Sequence, residues 1–566
     1  MIDLKANPFF LKDGDIAWVE KTLDGMSEEE KVGQLFCLHG DSDDFNELRR
    51  IVEAYHPGAM MYRPGAAEKI YENHKLLQEE SKTPMLLAAN LEAGGDGIGN
   101  EGTFFGRQIQ VAASDNTEQA YRLGVIAGRE GAAVGCNWAF APVVDIDMNF
   151  SNPITNVRTY GSDPERVKRM SLAYMKGCQE NGVAVSVKHF PGDGVDDRDQ
   201  HLLASVNSLS VEEWDRTYGD IYSAMIRNGA KTIMAGHIMQ PAYTRYFSPD
   251  IKDEDIMPGS LSPELLQGLL RGKLEFNGLI VTDATAMVGF GAMGRREDLI
   301  PGAIAAGCDM ILFTRDLEED VASMKKGIRD GVVTQERLDE AVRRILATKA
   351  SLGLNTRKKN NTLMPPKEGL SVLKCQEHIT WAYQLADESI TLVKDTQKLI
   401  PVDPEKKKRA MVIVLGDAVS ASGKPALGSL FIEELKKAGF KAERFDEKLH
   451  GALFYKAPVK KLRETYDIVF YFANIKTASN QTTVRINWKP PMGLDAPWFV
   501  KEIPTVFISI ANPYHLQDVP MISTYINAYT ANEFNPKVLV EKITGKSEFK
   551  GKAPNDPYCG YWDAAF

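Results

Sequence analysis

Two stretches of the chain carry residue types spaced for chemistry. In Lys188-His189-Phe190-Pro191-Gly192-Asp193-Gly194-Val195-Asp196-Asp197-Arg198-Asp199-Gln200-His201, Asp199 and His201 are two apart, so on extended backbone they share one face. A carboxylate beside an imidazole fixes its tautomer and raises its basicity, which makes a proton donor or acceptor useful near neutral pH. The second stretch is Gly278-Leu279-Ile280-Val281-Thr282-Asp283. A carboxylate held rigidly at the end of an apolar strand meets the demands on a nucleophile. The same aspartate, standing before Ala284-Thr285-Ala286-Met287, also suits the N-cap of a following helix.

Both stretches need a scaffold that brings strand ends together. Val183-Ala184-Val185-Ser186-Val187 is apolar and β-branched, so a buried strand ends at Lys188, and Pro191, Gly192 and Gly194 then forbid helix and allow tight turns. The same rhythm of short apolar run, polar tip and longer amphipathic segment recurs at 34–38, 59–62, 85–90, 137–145, 183–189, 232–237, 279–283 and 310–314. Eight strands alternating with helices predict a TIM-like (β/α)8 barrel, whose strand C-terminal ends converge on one face. The tips on that face are Asn90, Asp145, Lys188, His189, His237 and Asp283. Ser27-Glu28-Glu29-Glu30 has capping-box spacing and predicts a helix start. A helix over 338–351 closes the barrel, the basic, Asn-rich 356–361 reads as a linker, and a helix over 372–389 leads to a strand at 390–393. Further apolar runs at 410–415, 467–472 and 505–510, with a helix over 430–438, predict a smaller three-layer α/β sandwich. The expected domains are 1–355, the linker and connecting helix 356–395, and 396–566.

Composition narrows the function. With 67 basic against 77 acidic residues the net charge is -10, and without a basic run nucleic acid is not an expected partner. No apolar run is long enough to span a bilayer, and Met1-Ile2-Asp3-Leu4-Lys5 lacks signal-peptide design, so a cytoplasmic protein without membrane association is expected. The six scattered cysteines read as buried free thiols rather than a disulfide frame or zinc site. Gly97-Ile98-Gly99-Asn100-Glu101-Gly102 is a literal G-x-G-x-x-G, but it follows the third strand and opens no evident helix, so dinucleotide binding is not expected. The acidic loop 193–199 lacks the order of a calcium loop. No metal and no cofactor are expected.

Taken together, Lys188-His189-Phe190-Pro191-Gly192, Asp199-x-His201 and the run ending at Asp283 with Met287 resemble glycoside hydrolase family 3, and within it the NagZ-type β-N-acetylglucosaminidases. Supporting pieces occur in order: 29–35, Phe140-Ala141-Pro142-Val143-Val144-Asp145, Asn152-Pro153 with Arg158, Met234-Ala235-Gly236-His237, and 389–401 as the entry to a sandwich domain. The resemblance implies a retaining mechanism with Asp283 as nucleophile and Asp199–His201 as acid/base dyad. It implies sugar contacts from Lys188, His189 and Arg158, with Asn90, His237 and Met287 as further substrate-binding candidates. Asp145 is expected to orient its neighbours. Departures stand beside it: Asn90-Leu91-Glu92-Ala93-Gly94 replaces the usual Asp-Gln-Glu-Gly-Gly, and the loop carries Asp193, Asp196 and Gln200 where the family has His, Thr and Ser. The expected activity is a retaining, exo-acting β-N-acetylhexosaminidase on a small amino-sugar glycoside, by a monomer or homodimer. A phosphorylase, a β-glycosidase of other specificity and a non-catalytic sugar-binding protein are the alternatives.

Overall fold

The computed structural model describes residues 2–417, 426–490 and 492–566. The chain forms two compact units: 1–105, 120–155 and 164–378 make the first, and 106–119, 156–163 and 379–566 the second.

The first unit is a closed barrel of eight parallel strands: β1 (Phe36–His39), β2 (Ala59–Met61), β3 (Leu86–Ala89), β4 (Trp138–Ala139), β5 (Ala184–Phe190), β6 (Thr232–Ala235), β7 (Leu279–Ala284) and β8 (Met310–Leu312). Each falls within or against one of the eight runs read from the sequence. Neighbours pair in sequence order and β8 closes on β1, with Phe36 opposite Ile311. All seven residues of β5 are buried, as expected of a parallel strand covered on both faces. The predicted capping box forms: Ser27 Oγ accepts from the Glu30 amide at 3.2 Å, and Glu30 accepts from the Ser27 amide at 2.9 Å. The closing helix is Gln335–Ser351, capped by Thr334, whose hydroxyl accepts from the Arg337 amide. The basic 356–361 run is not loose chain throughout. Leu354–Lys359 is helical, with Lys358 Nζ donating to the Gln78 carbonyl at 2.6 Å.

The second unit holds a six-stranded sheet of β9 (Thr391–Asp395), β10 (Arg409–Leu415), β11 (Lys441–Arg444), β12 (Ile468–Ala473), β13 (Thr505–Ser509) and β14 (Thr524–Asn527), in the order β9-β14-β13-β12-β10-β11. Five strands run parallel, and β9 pairs antiparallel with β14 at the edge. Alternate residues of β10 and β12 feed two separate cores: Val412 and Phe470 pack with Phe431 and Leu539, while Met411 and Tyr471 pack with Phe499 and Leu516. Apolar layers on both faces of one sheet make this the predicted three-layer sandwich. Two segments earlier in the chain belong to the unit as well. The Arg107 amide donates to Thr530 Oγ1 at 2.9 Å, Gln110 Nε2 reaches Ser389 and Asn535, and the Ser162 amide donates to the Pro554 carbonyl at 3.1 Å.

Candidate active site

Near the end of β5 stand Lys188 and His189, both 3% exposed. The His189 Nδ1–H donates to Asp145 Oδ2 at 2.7 Å, while the amides of His189 and Asp193 both donate to Asp145 Oδ1, at 3.1 and 2.8 Å. Asp145 thus does the orienting expected of it, and it turns Nε2 of His189 toward Asp283 Oδ2 at 3.9 Å. Lys188 Nζ donates to Glu92 Oε1 at 2.7 Å with both side chains buried. Glu92, past the tip of β3, is a site residue that sequence reasoning quoted but did not select. Its signal was an acidic residue inside an apolar strand-end run.

Asp283 is the next-to-last residue of β7 and is nearly buried. The helix-capping alternative fails, because the next helix is Val288–Gly291 with Met287 at its N-cap, and Asp283 Oδ1 accepts instead from the adjoining Ala284 amide at 2.7 Å. Burial alone would raise this carboxyl. The neighbouring imidazoles, His189 foremost, together with the Ala284 amide outweigh it and hold the pKa at about 2. Asp283 is therefore held as a carboxylate at neutral pH.

The dyad forms on the loop after β5. The His201 Nδ1–H donates to Asp199 Oδ1 at 2.7 Å, and the His201 amide donates to the same oxygen at 2.8 Å. Asp199 is buried, and His201 keeps 24% of its side chain exposed, which leaves Nε2 as the nitrogen able to trade a proton. The loop rests on the segment after β7: the Val288 amide donates to the His201 carbonyl at 3.1 Å, and the Gly289 amide to the Gln200 carbonyl at 3.2 Å. Asp283 and His201 therefore occupy the same end of the barrel.

The remaining candidates divide. Met287 is buried beside the dyad loop and Asn90 is exposed at the end of β3. His237, expected to touch substrate, has both ring nitrogens committed within the protein. The Ala284 carbonyl can only accept, so Nε2 carries the hydrogen and donates at 3.0 Å, while Nδ1 accepts from Ser260 Oγ at 2.8 Å. Burial pushes this imidazole down despite the Asp283 charge, so the geometry makes it a positioning group that offers no free hydrogen-bonding atom to a sugar. Arg158 lies on segment 156–163 of the second unit. The G-x-G-x-x-G run is a loop with a single 3₁₀ turn, Gly95–Gly97, and a Cβ on Gly97 would sit 2.0 Å from the Asn90 carbonyl. Its glycines serve close packing. Among the described residues no group of three or more His, Cys, Asp or Glu side chains is arranged to hold a metal ion, and no helix is long and apolar enough to cross a membrane.

Residues 27–348 match the model of the glycosyl hydrolase family 3 N-terminal domain. The chain belongs to glycoside hydrolase family 3. It is accordingly a glycosidase, and the barrel that matches the family model is the unit in which His189, Asp283 and the dyad meet. A Cellulomonas fimi protein named β-N-acetylglucosaminidase/β-glucosidase is 46% identical over 566 residues, covering 100% of both chains. A β-hexosaminidase of Pseudomonas aeruginosa is 33% identical over 208 residues, 36% of this chain and 58% of its own. Among solved structures, the β-glucoside phosphorylase BglX superposes with a TM-score of 0.93 at 46% identity, covering 99% of both chains.

Proposed function

We propose that this family 3 enzyme is a retaining, exo-acting β-glycosidase for β-N-acetylglucosaminides and β-glucosides, with Asp283 as nucleophile and His201, oriented by Asp199, as acid and base. The observation that carries the reading is the pair of backbone bonds joining the dyad loop to the segment after β7, because double displacement needs both groups at one anomeric carbon. In the first step Asp283 attacks that carbon while Nε2–H of His201 protonates the departing oxygen. In the second, Nε2 takes the proton of the incoming acceptor as the glycosyl–aspartate ester breaks. Lys188, positioned by Glu92, and His189, positioned by Asp145, supply hydrogen bonds to sugar hydroxyls, and Asn90 and Met287 line the approach. The full-length C. fimi relative, named for both activities, supports the two substrate classes.

Phosphorolysis is the second reading, favoured by the likeness to a phosphorylase and by the acid itself. An imidazole puts no extra negative charge where the acceptor arrives, so a phosphate anion is repelled less than it would be by a glutamate. The six free thiols support a reducing, cytoplasmic location, and a monomer or homodimer is the expected assembly. Incubation of nitrophenyl β-N-acetylglucosaminide and β-glucoside with and without phosphate tests the proposal. Free sugar of retained β configuration is the expected product, and sugar 1-phosphate formed in preference to free sugar would favour the second reading. No turnover of either glycoside would overturn both.

A further inference from the structure

The three loop positions that depart from the family pattern all turn out to be tethers. Asp193 Oδ1 accepts from Asn152 Nδ2 at 3.0 Å, and the same Asn152 nitrogen donates to the Asp196 carbonyl at 2.8 Å. Asp196 Oδ2 accepts from the Val206 amide at 2.9 Å, across the loop. Gln200 Oε1 accepts from the buried His237 amide at 2.7 Å, just past the end of β6. The loop's return is pinned too. Ser205–Val206 pair with Ile238–Met239, the Asn207 amide donates to the Met239 carbonyl at 2.8 Å, and Asn207 Nδ2 closes the neck by donating to the Gly192 carbonyl at 3.0 Å. With the two bonds from Val288 and Gly289, the dyad loop is held from the segments that follow β4, β6 and β7.

We infer that residues 192–207 form a fixed platform rather than an arm that swings in, and that Gln200 is the positioning residue that sets His201 by docking the dyad on the His237 amide. The inference rests on the acid/base reading of His201. Gln200 is fully buried and stands between the two dyad residues, so its side chain fixes the backbone on both sides. Loss of Oε1 leaves a buried N–H unpaired, which the loop relieves by moving. A proton donor displaced by about 1 Å loses on the order of a hundredfold in rate. That loss falls only on substrates whose leaving group needs a proton.

The test compares Gln200→Met, which keeps side-chain volume and removes the acceptor, with Asp196→Ala, which frees the Val206 amide away from the dyad. Each is assayed on a series of aryl and alkyl β-glycosides beside wild type and His201→Ala, with hydrogen exchange measured over 192–207. The expected result is a drop of about tenfold to a hundredfold in kcat on alkyl glycosides for Gln200→Met. Dinitrophenyl glycosides should stay within about threefold, since their phenolate leaves unaided, and exchange should quicken in both variants. An equal loss on every substrate, the mark of a merely structural residue, overturns the inference, as does wild-type behaviour at every leaving group. Should His201→Ala itself show no leaving-group dependence, it is the acid/base reading that has failed.

Discussion

Replacing His189 by glutamine should move the ionisation of Asp283 without removing the carboxylate. Nε2 of His189 is 3.9 Å from Asp283 Oδ2. At that separation and an effective dielectric constant near 20, an imidazolium and a carboxylate attract by about 4 kcal/mol, worth about three pH units at about 1.4 kcal/mol each. Of the three neighbouring imidazoles, His189 pulls most strongly on the Asp283 carboxylate, ahead of His237 and His201. The sign follows. Asp283, held at about 2 in the intact site, is depressed, and without its strongest favourable partner it rises by about two to three pH units. The assay is the acid limb of kcat/KM on a dinitrophenyl β-glycoside, whose departure needs no acid. Wild type should keep a level profile down to about pH 4, and His189→Gln should lose activity progressively below about pH 5, whatever its plateau. Lost sugar contacts lower the plateau but leave the position of the limb alone. A limb unmoved by the substitution would refute the electrostatic assignment.

Further predictions concern stability. Asp193 is buried beside Asp145, and burial first, then that charge, pushes its carboxyl up to about 8. Because the folded value exceeds the unfolded one, the native state holds a proton that the unfolded state sheds above about pH 4, so stability declines as pH rises from there to about 8. Asp193→Asn, which imitates the protonated form, should melt near wild type at pH 4 and higher than wild type at pH 8; the reverse order would refute this. Glu92→Gln leaves the Lys188 ammonium buried without its carboxylate and should cost about 3 to 5 kcal/mol in denaturant unfolding. Lys188→Met combined with Glu92→Gln should recover part of that, and strict additivity would dispose of the pairing. Gly194 has φ +105, and a Cβ there would meet the Ile146 carbonyl at 1.9 Å. Gly194→Ala should therefore lower the melting temperature and slow turnover together, and an unchanged melting curve would contradict the packing.

The barrel was legible because each of its strands is buried on both faces, so strands read as unbroken apolar runs closed by polar tips; Ala184–Phe190 and Leu279–Ala284 are the clearest. The dyad was legible from a spacing of two. What could not be read was long-range. Residues 106–119 look like any barrel loop and helix, and it takes long-range bonds, such as Arg107 to Thr530 and Gln110 to Ser389 and Asn535, to assign them to the second unit. The fate of His237 depended on Ser260 and on a carbonyl from β7, neither of them close in sequence. Asp193, Asp196 and Gln200 appeared as losses of a pattern, since a tether is visible only when its partner is.

The most direct measurement of the account is covalent trapping by a 2-deoxy-2-fluoro β-glycoside with a dinitrophenyl leaving group, followed by peptide mapping. A glycosyl adduct on the peptide containing Asp283, absent in Asp283→Ala, is the predicted result. An adduct on a peptide bearing Glu92 or Asp199 instead, or turnover that survives in Asp283→Ala, would contradict it.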